Sequence, residues 1–149
     1  MSSLIVRFAT DADREVAVRL LVAQLAEHDL PADPAGVARG VDLALAPGSR
    51  AWLLLALRGG EAVGIFLANQ IVSVEKSGYT LWIEELYVAP AARRTGVARA
   101  ILSWVLDEGR KREIRALDLE VVPSQAAAFA LYRALGFVDV NRQRLSKAV

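Results

Sequence analysis

Leu81-Trp82-Ile83-Glu84-Glu85-Leu86-Tyr87-Val88-Ala89-Pro90-Ala91-Ala92-Arg93-Arg94-Thr95-Gly96-Val97-Ala98-Arg99-Ala100-Ile101-Leu102-Ser103-Trp104-Val105-Leu106 reads as a strand, a short turn and a helix. The first part, from Thr80 to Val88, is rich in aromatic and β-branched residues, which suit a pleated surface. Pro90 has no N–H to give, so pairing should stop there. After the turn, Val97, Ala98, Ile101, Leu102, Val105 and Leu106 recur at helical spacing and make one apolar face. Between strand and helix lies Arg93-Arg94-Thr95-Gly96-Val97-Ala98. Gly96 and Ala98 allow close approach to the backbone, and the first N–H groups of a helix have no partner within it. Such a turn can hold a phosphate or diphosphate, with Arg93, Arg94 and Arg99 around it. On spacing alone, a plain strand-to-helix turn with solvated arginines fits equally well. The dinucleotide pattern G-x-G-x-x-G and the P-loop pattern G-x-x-x-x-G-K-[ST] are both missing.

Outward from this stretch, the chain alternates elements without an internal linker, so one domain over 1–149 is expected. Leu4 to Ala9 reads as a strand. Thr10 or Asp11 can cap a helix over Arg14 to Glu27, and a second helix runs from Pro34 to Leu45 before Pro47-Gly48. Ala51 to Leu57 and Ala62 to Ser73 read as strands joined by a Gly59-Gly60 hairpin turn. With Thr80 to Val88 they form an antiparallel meander. Strand, helix and strand then follow as Thr80–Val88, Val97–Arg110 and Ala116–Val122. The crossover makes those two strands parallel, and ligands favour the crevice where a sheet changes direction. A last helix is expected to open at Pro123-Ser124, with Ser124 as cap, and to end at a left-handed Gly136. Phe137 to Leu145 is expected as a closing strand. The fold class is thus α/β (α+β), in the order β-α-α-β-β-β-α-β-α-β, with an antiparallel meander followed by a parallel pair.

Composition narrows the chemistry. Hydrophobic residues make up 54% of the 149, enough for a packed core and far from a disordered composition. Unbroken apolar runs such as Ala51 to Leu57 fall well short of the ~20 residues of a membrane span. The N-terminus lacks a signal-peptide layout, so a cytoplasmic protein with no membrane partner is expected. There is no cysteine and one histidine, which leaves no disulfide, thiolate nucleophile or zinc catalysis, and no metal is expected. No G-x-S-x-G elbow occurs. Net charge is +1, unevenly spread: Ala91 to Arg115 carries seven bases and three acids, while Leu20 to Ala46 carries four acids and one base. The basic loop suits an anionic ligand and the acidic end a cationic one, although both also fit ordinary solvated surfaces. The basic segment is short and no nucleic-acid motif is visible, so nucleic acid is not an expected partner.

Two patterns together resemble a known family. Val88-x-Pro90-x-x-Arg93-x-x-Gly96-x-Ala98 resembles the acetyl-CoA loop of the GNAT N-acetyltransferases, Q/R-x-x-G-x-G/A. Tyr132-Arg133-Ala134-Leu135-Gly136-Phe137 resembles that family's second signature, a Tyr followed by x-x-x-Gly-Phe, in the same order and at a similar separation. The clear resemblance covers Thr80 to Val138. It implies a GNAT-like mixed sheet with helices on both faces and acetyl-CoA as co-substrate. It also implies cofactor contacts from Leu86, Tyr87 and Val88 along the strand, from Arg93, Arg94, Thr95, Gly96, Val97, Ala98 and Arg99 at the loop, and from Tyr132. Gln125 stands where many members have an Asn that contacts the cofactor, a departure that puts this contact in doubt. The resemblance implies as well that two copies can pair as a homodimer.

Amine attack on a thioester requires an amine that has lost a proton, a donor for the oxyanion and a proton for the leaving thiolate. With no cysteine, direct attack within a ternary complex is the natural scheme. Tyr132, a phenol with pKa about 10, is the candidate acid, which the resemblance places beside the cofactor sulfur; by spacing alone it is also a core tyrosine. Neighbours Glu84 and Glu85 should face opposite sides of one strand. The family often has a carboxylate base here, and Glu84 is favoured over Glu85. His28 receives no role. The expected function is acetyl transfer to a primary amine, its acceptor a small cationic amine in keeping with the acidic segment. A protein N-terminus or lysine is the alternative acceptor, and a non-catalytic acyl-CoA sensor the alternative class.

Overall fold

The fold was obtained as a computed structural model that describes residues 2–149; Met1, where the expected domain begins, lies outside them. The chain divides into two compact units, one ending at Leu119 and the other Glu120–Val149.

The first unit holds a five-stranded sheet in sequential order: β1 (Leu4–Phe8), β2 (Ala51–Arg58), β3 (Glu61–Ser73), β4 (Gly78–Val88) and β5 (Ile114–Asp118). β1 to β4 pair antiparallel, and β4 pairs with β5 in parallel across α3 (Val97–Lys111). Helices α1 (Arg14–Glu27) and α2 (Pro34–Leu45) cover one face. Ala17, Leu20, Leu21 and Val41 from these helices meet Leu53, Leu55, Ile65 and Tyr87 there, all buried. Alternate residues of the same strands serve the opposite face, as the period of two requires. There Phe8 stands edge-on to Trp52 and to Trp104 of α3. Gly64 lets α3 approach β3: a Cβ at that position would lie 3.0 Å from Val97 Cγ1 and 3.2 Å from Ile101 Cδ1.

β1 is tied to the start of α1 by one buried carboxylate. Asp13 accepts from Arg7 Nη1 and Nη2 at 2.7 and 3.0 Å and from the Thr10 N–H at 2.8 Å. The Arg7 guanidinium, partly opposed by burial, holds its pKa down to about 2. An Asp with a depressed folded pKa stabilises the fold above its ordinary pKa and loses that contribution as pH falls. About 2 kcal/mol is therefore expected to disappear between roughly pH 4 and pH 2. Denaturant midpoints measured across that range should show the loss, and Asp13→Asn should flatten it.

The acidic segment is not an open negative surface. Glu27 pairs with Arg93, Asp42 pairs with Arg14, and Asp33 caps α2 by accepting from the Ala35 and Gly36 N–H groups.

The second unit carries α4 (Ala126–Ala134). Its N-cap position is Gln125, and the expected Ser124 cap is not formed. Nor does a closing strand form over Phe137 to Leu145. Asp139 instead accepts the Asn141 N–H at 2.7 Å, and Asn141 sits at φ 54°, a left-handed turn through which an extended run cannot continue. β5 likewise ends at Asp118 rather than Val122. Its last paired residues are Trp82 and Asp118, just short of an irregularity in β4.

Candidate active site

That irregularity is a bulge. Along the β3–β4 ladder Leu67 pairs with Glu85, whereas Ala68 pairs with Ile83, so Glu84 is the extra residue. A bulge bends its strand and resets which side chain faces which way. Glu84 is left exposed, while Glu85 is half-buried and lines a cleft of about 160 Å³ beneath α1 and α2. Beyond Trp82 the outer edge of β4 has no β5 partner. Ala89 gives its N–H to Val63 O of β3 at 2.9 Å, so strand alternation turns the Val88 peptide groups to the outer side. Arg93 Nε donates to the Val88 carbonyl at 2.9 Å, which fixes the end of the strand.

Pro90–Ala92 then form one turn of 3-10 helix. Arg94 and Gly96 both take left-handed conformations, φ 60° and 84°. This is free for Gly96 and costs Arg94 strain. The Thr95 hydroxyl donates to the Ala92 carbonyl and accepts from Arg58 Nη1, tying the loop to the end of β2. The first intrahelical bond of α3 is Ala100 N–H to Gly96 O at 3.0 Å. No side chain caps the helix start, so the Val97, Ala98 and Arg99 amides project from its positive end. The three arginines differ. Arg93 is committed to Glu27 and the Val88 carbonyl and lies over the Tyr87 ring. Arg94 and Arg99 are exposed and make no ion pair among the described residues.

Electrostatics separate the two glutamates. Burial, and next the charge of Glu84, raise the Glu85 pKa above the ordinary range, while the adjoining Gln24 amide acts in the other direction. Gln24 is itself buried. Sequence reading missed Gln24, Arg58 and Glu27. Their roles depend on neighbours far along the chain and leave no local pattern.

In the second unit, the Tyr-x-x-x-Gly-Phe signature is a helix C-cap. Gly136, left-handed at φ 91°, gives its N–H to Arg133 O, and Phe137 gives its N–H to Tyr132 O, both at 3.0 Å. The Phe137 ring closes on the Tyr132 ring, edge to face at 5.5 Å. Only glycine fits that turn without cost, and the aromatic pair is the apolar contact that accompanies it. Burial raises the Tyr132 pKa, so its phenol stays protonated at neutral pH. Gln125 stands at the other end of the same helix.

Among the described residues no helix is long and apolar enough to cross a membrane.

Comparison with known proteins gives consistent results. The acetyltransferase (GNAT) family profile matches residues 14–137. The ribosomal protein bS18-alanine N-acetyltransferase of Escherichia coli strain K12 is 37% identical over 79 residues, which cover 53% of this chain and 50% of that protein. The match thus spans about half the length of this curated relative. A possible acetyltransferase from Clostridium difficile 630 superposes with a TM-score of 0.87 at 19% identity, covering 98% of this chain and 97% of its own. An aminoglycoside N-acetyltransferase solved in complex with CoA gives 0.83 at 19%, covering 99% and 96%. At such identities these likenesses speak for the fold. The profile's span includes the uncapped helix start after Gly96 as well as the Tyr132–Phe137 cap, and by it the chain belongs to the acetyltransferase (GNAT) family.

Proposed function

We propose that this protein transfers the acetyl group of acetyl-CoA to a primary amine by direct attack. The observation that carries the proposal is the joint at Glu84 to Arg99: a bulged strand with an unpaired outer edge runs into an uncapped helix start flanked by two unpaired arginines. These groups fit the parts of the co-substrate. The Val97, Ala98 and Arg99 amides, with Arg94 and Arg99, suit its diphosphate; Thr95 and Gly96 shape that loop. The Leu86 to Val88 edge suits the amide-bearing arm, with the Val88 N–H as donor to the thioester oxygen. Arg93 serves by fixing the strand end, and Gln125 is the remaining candidate contact.

In the reaction the amine nitrogen forms a bond to the thioester carbon, and the carbon–sulfur bond breaks. The proton shed by nitrogen goes to a strand carboxylate, directly or through water, and Tyr132 protonates the thiolate. Glu84 was the favoured base by sequence. Its exposure, and the half-buried position of Glu85 in the cleft, support Glu85 instead. The acceptor is a small amine, cationic at rest. With Glu27 and Asp42 paired, the acidic segment lends this no support, and Glu85 is the group that favours a cation. A protein N-terminus is the second reading, favoured by the 37% identity to an enzyme that acetylates ribosomal protein alanine.

Thermal unfolding with and without CoA tests the joint. Ligand at 100 times Kd should add about 2.7 kcal/mol. Arg94→Glu should weaken that stabilisation, and no shift with CoA in the unaltered protein would reject the enzyme and a CoA sensor alike. Thiol release with an amine and peptide panel separates enzyme from sensor. Tyr132→Phe keeps the ring pair with Phe137 and should lower kcat by about 100-fold with little change in CoA binding. Equal losses in both would defeat the acid assignment.

A further inference from the structure

We infer that the cleft beneath α1 and α2 receives the acceptor and selects a primary amine bearing an apolar group, with the Glu85 carboxylate as its hydrogen-bond acceptor. This rests on the acetyltransferase reading above and adds the class of amine.

The walls are hydrocarbon. Leu21 and Leu25 of α1, Val37 and Val41 of α2, Leu53 of β2 and Leu67 of β3 surround about 160 Å³, and Glu85 is the one charged lining residue. An apolar cavity of about 150 Å³ can hold a benzene-sized group. Gln24, only 8% exposed and not part of the lining, hydrogen-bonds the Glu85 side chain. A carboxylate held partly out of water is costly to keep charged, and a bound cation relieves the cost. An ammonium brings three N–H donors and the charge to pair with that carboxylate. Its substituent must then lie against the leucines and valines. A polyamine would place a second cation there, and an amino sugar several hydroxyls, each stripped of water without a partner. An aliphatic or arylalkyl amine, or a peptide whose first side chain is apolar, meets no such penalty.

Gly40 offers a clean way to close the cleft. It lines the cleft and is exposed, and a Cβ added there meets no atom within 4 Å. Gly40→Leu should therefore fold while its side chain narrows the entrance, helped by the better helix propensity of Leu.

The test is thiol release from acetyl-CoA by the full chain with hexylamine, phenethylamine, a leucine-initiated peptide, spermidine and glucosamine. The apolar amines or the peptide should exceed spermidine and glucosamine at least tenfold in kcat/KM. Gly40→Leu should raise KM for the preferred amine about tenfold, with the CoA-induced thermal shift unchanged. A preference for spermidine or glucosamine, or an unchanged KM in Gly40→Leu, overturns this inference and leaves acetyl transfer standing. No thiol release with any amine, despite a CoA shift, overturns the acetyltransferase reading and this inference with it.

Discussion

Glu85→Gln is expected to lower kcat by about 10²- to 10⁴-fold, the usual worth of a positioned proton acceptor, while CoA still stabilises the protein normally. The amide keeps the shape of the carboxylate and its place between α1, α2 and β3, so the cleft survives. On the proposed mechanism, what it loses is the capacity to take a proton from the attacking nitrogen. The raised pKa of Glu85, caused first by burial and next by Glu84, brings it closer to the working pH and makes it a better acceptor than an exposed carboxylate. The same shift predicts a stability effect of opposite sign. A carboxyl whose folded pKa is raised binds more protons folded than unfolded, so stability falls as pH rises from the ordinary Glu range through the raised value. Glu85→Gln removes that loss. The variant should melt higher than the unaltered protein at neutral pH and show no difference in acid, below the ordinary Glu range. A protein both less active and more stable is what a residue strained for function leaves behind when neutralised. Glu84→Gln is the control: an exposed group at the bulge should cost less than tenfold. A larger loss from Glu84→Gln than from Glu85→Gln would return the base to the residue favoured by the strand pattern.

Why the pattern favoured Glu84 is instructive. Alternation along Thr80 to Val88 is a property of one strand, and the bulge is a property of two. Nothing in Ile83-Glu84-Glu85-Leu86 says that Leu67 and Ala68 opposite will pair with Glu85 and Ile83. The helices were legible to the residue at Arg14–Glu27 and Pro34–Leu45, because the apolar spacing of the first and the Pro34 start and Pro47-Gly48 break of the second are local signals. The cap at Gly136 was legible because it needs a left-handed backbone that glycine supplies; at Gly96 the sequence showed a small residue in a turn, and its left-handed backbone came only with the structure. The acidic segment was misleading because charge was counted along the chain. Glu27 meets Arg93, 66 residues away, and Asp42 meets Arg14, 28 away, so the excess negative charge is largely neutralised in space. The closing strand failed on two polar residues, Asp139 and Asn141, whose turn chemistry outweighs the alternation around them.

Gly64→Val is expected to separate the helix start from the sheet. Gly64 pairs with Val88 at the end of β4, and its missing side chain is the space that Val97 and Ile101 occupy. A Cβ there would stand 3.0 Å from Val97 Cγ1 and 3.2 Å from the Tyr87 carbonyl. The Tyr87 carbonyl belongs to the ladder and cannot turn aside, so the first turn of α3 must move. Overpacking of this kind costs about 1–3 kcal/mol, which should appear as a lower melting temperature. The functional loss should be larger than the stability loss suggests. The Val97, Ala98 and Arg99 amides sit on that displaced turn, and a shift on the order of 1 Å can cost 10²-fold where geometry carries the chemistry. CoA affinity is therefore expected to fall at least tenfold in Gly64→Val, read as a reduced thermal shift at fixed CoA concentration. Gly64→Ala, with the smallest possible intrusion, should fall between. Because Gly64 lies on the strand beneath the helix, it cannot itself touch a diphosphate bound at the helix start. A stable Gly64→Val protein that binds CoA as tightly as the original would mean that the amides of α3 are not what grips the co-substrate.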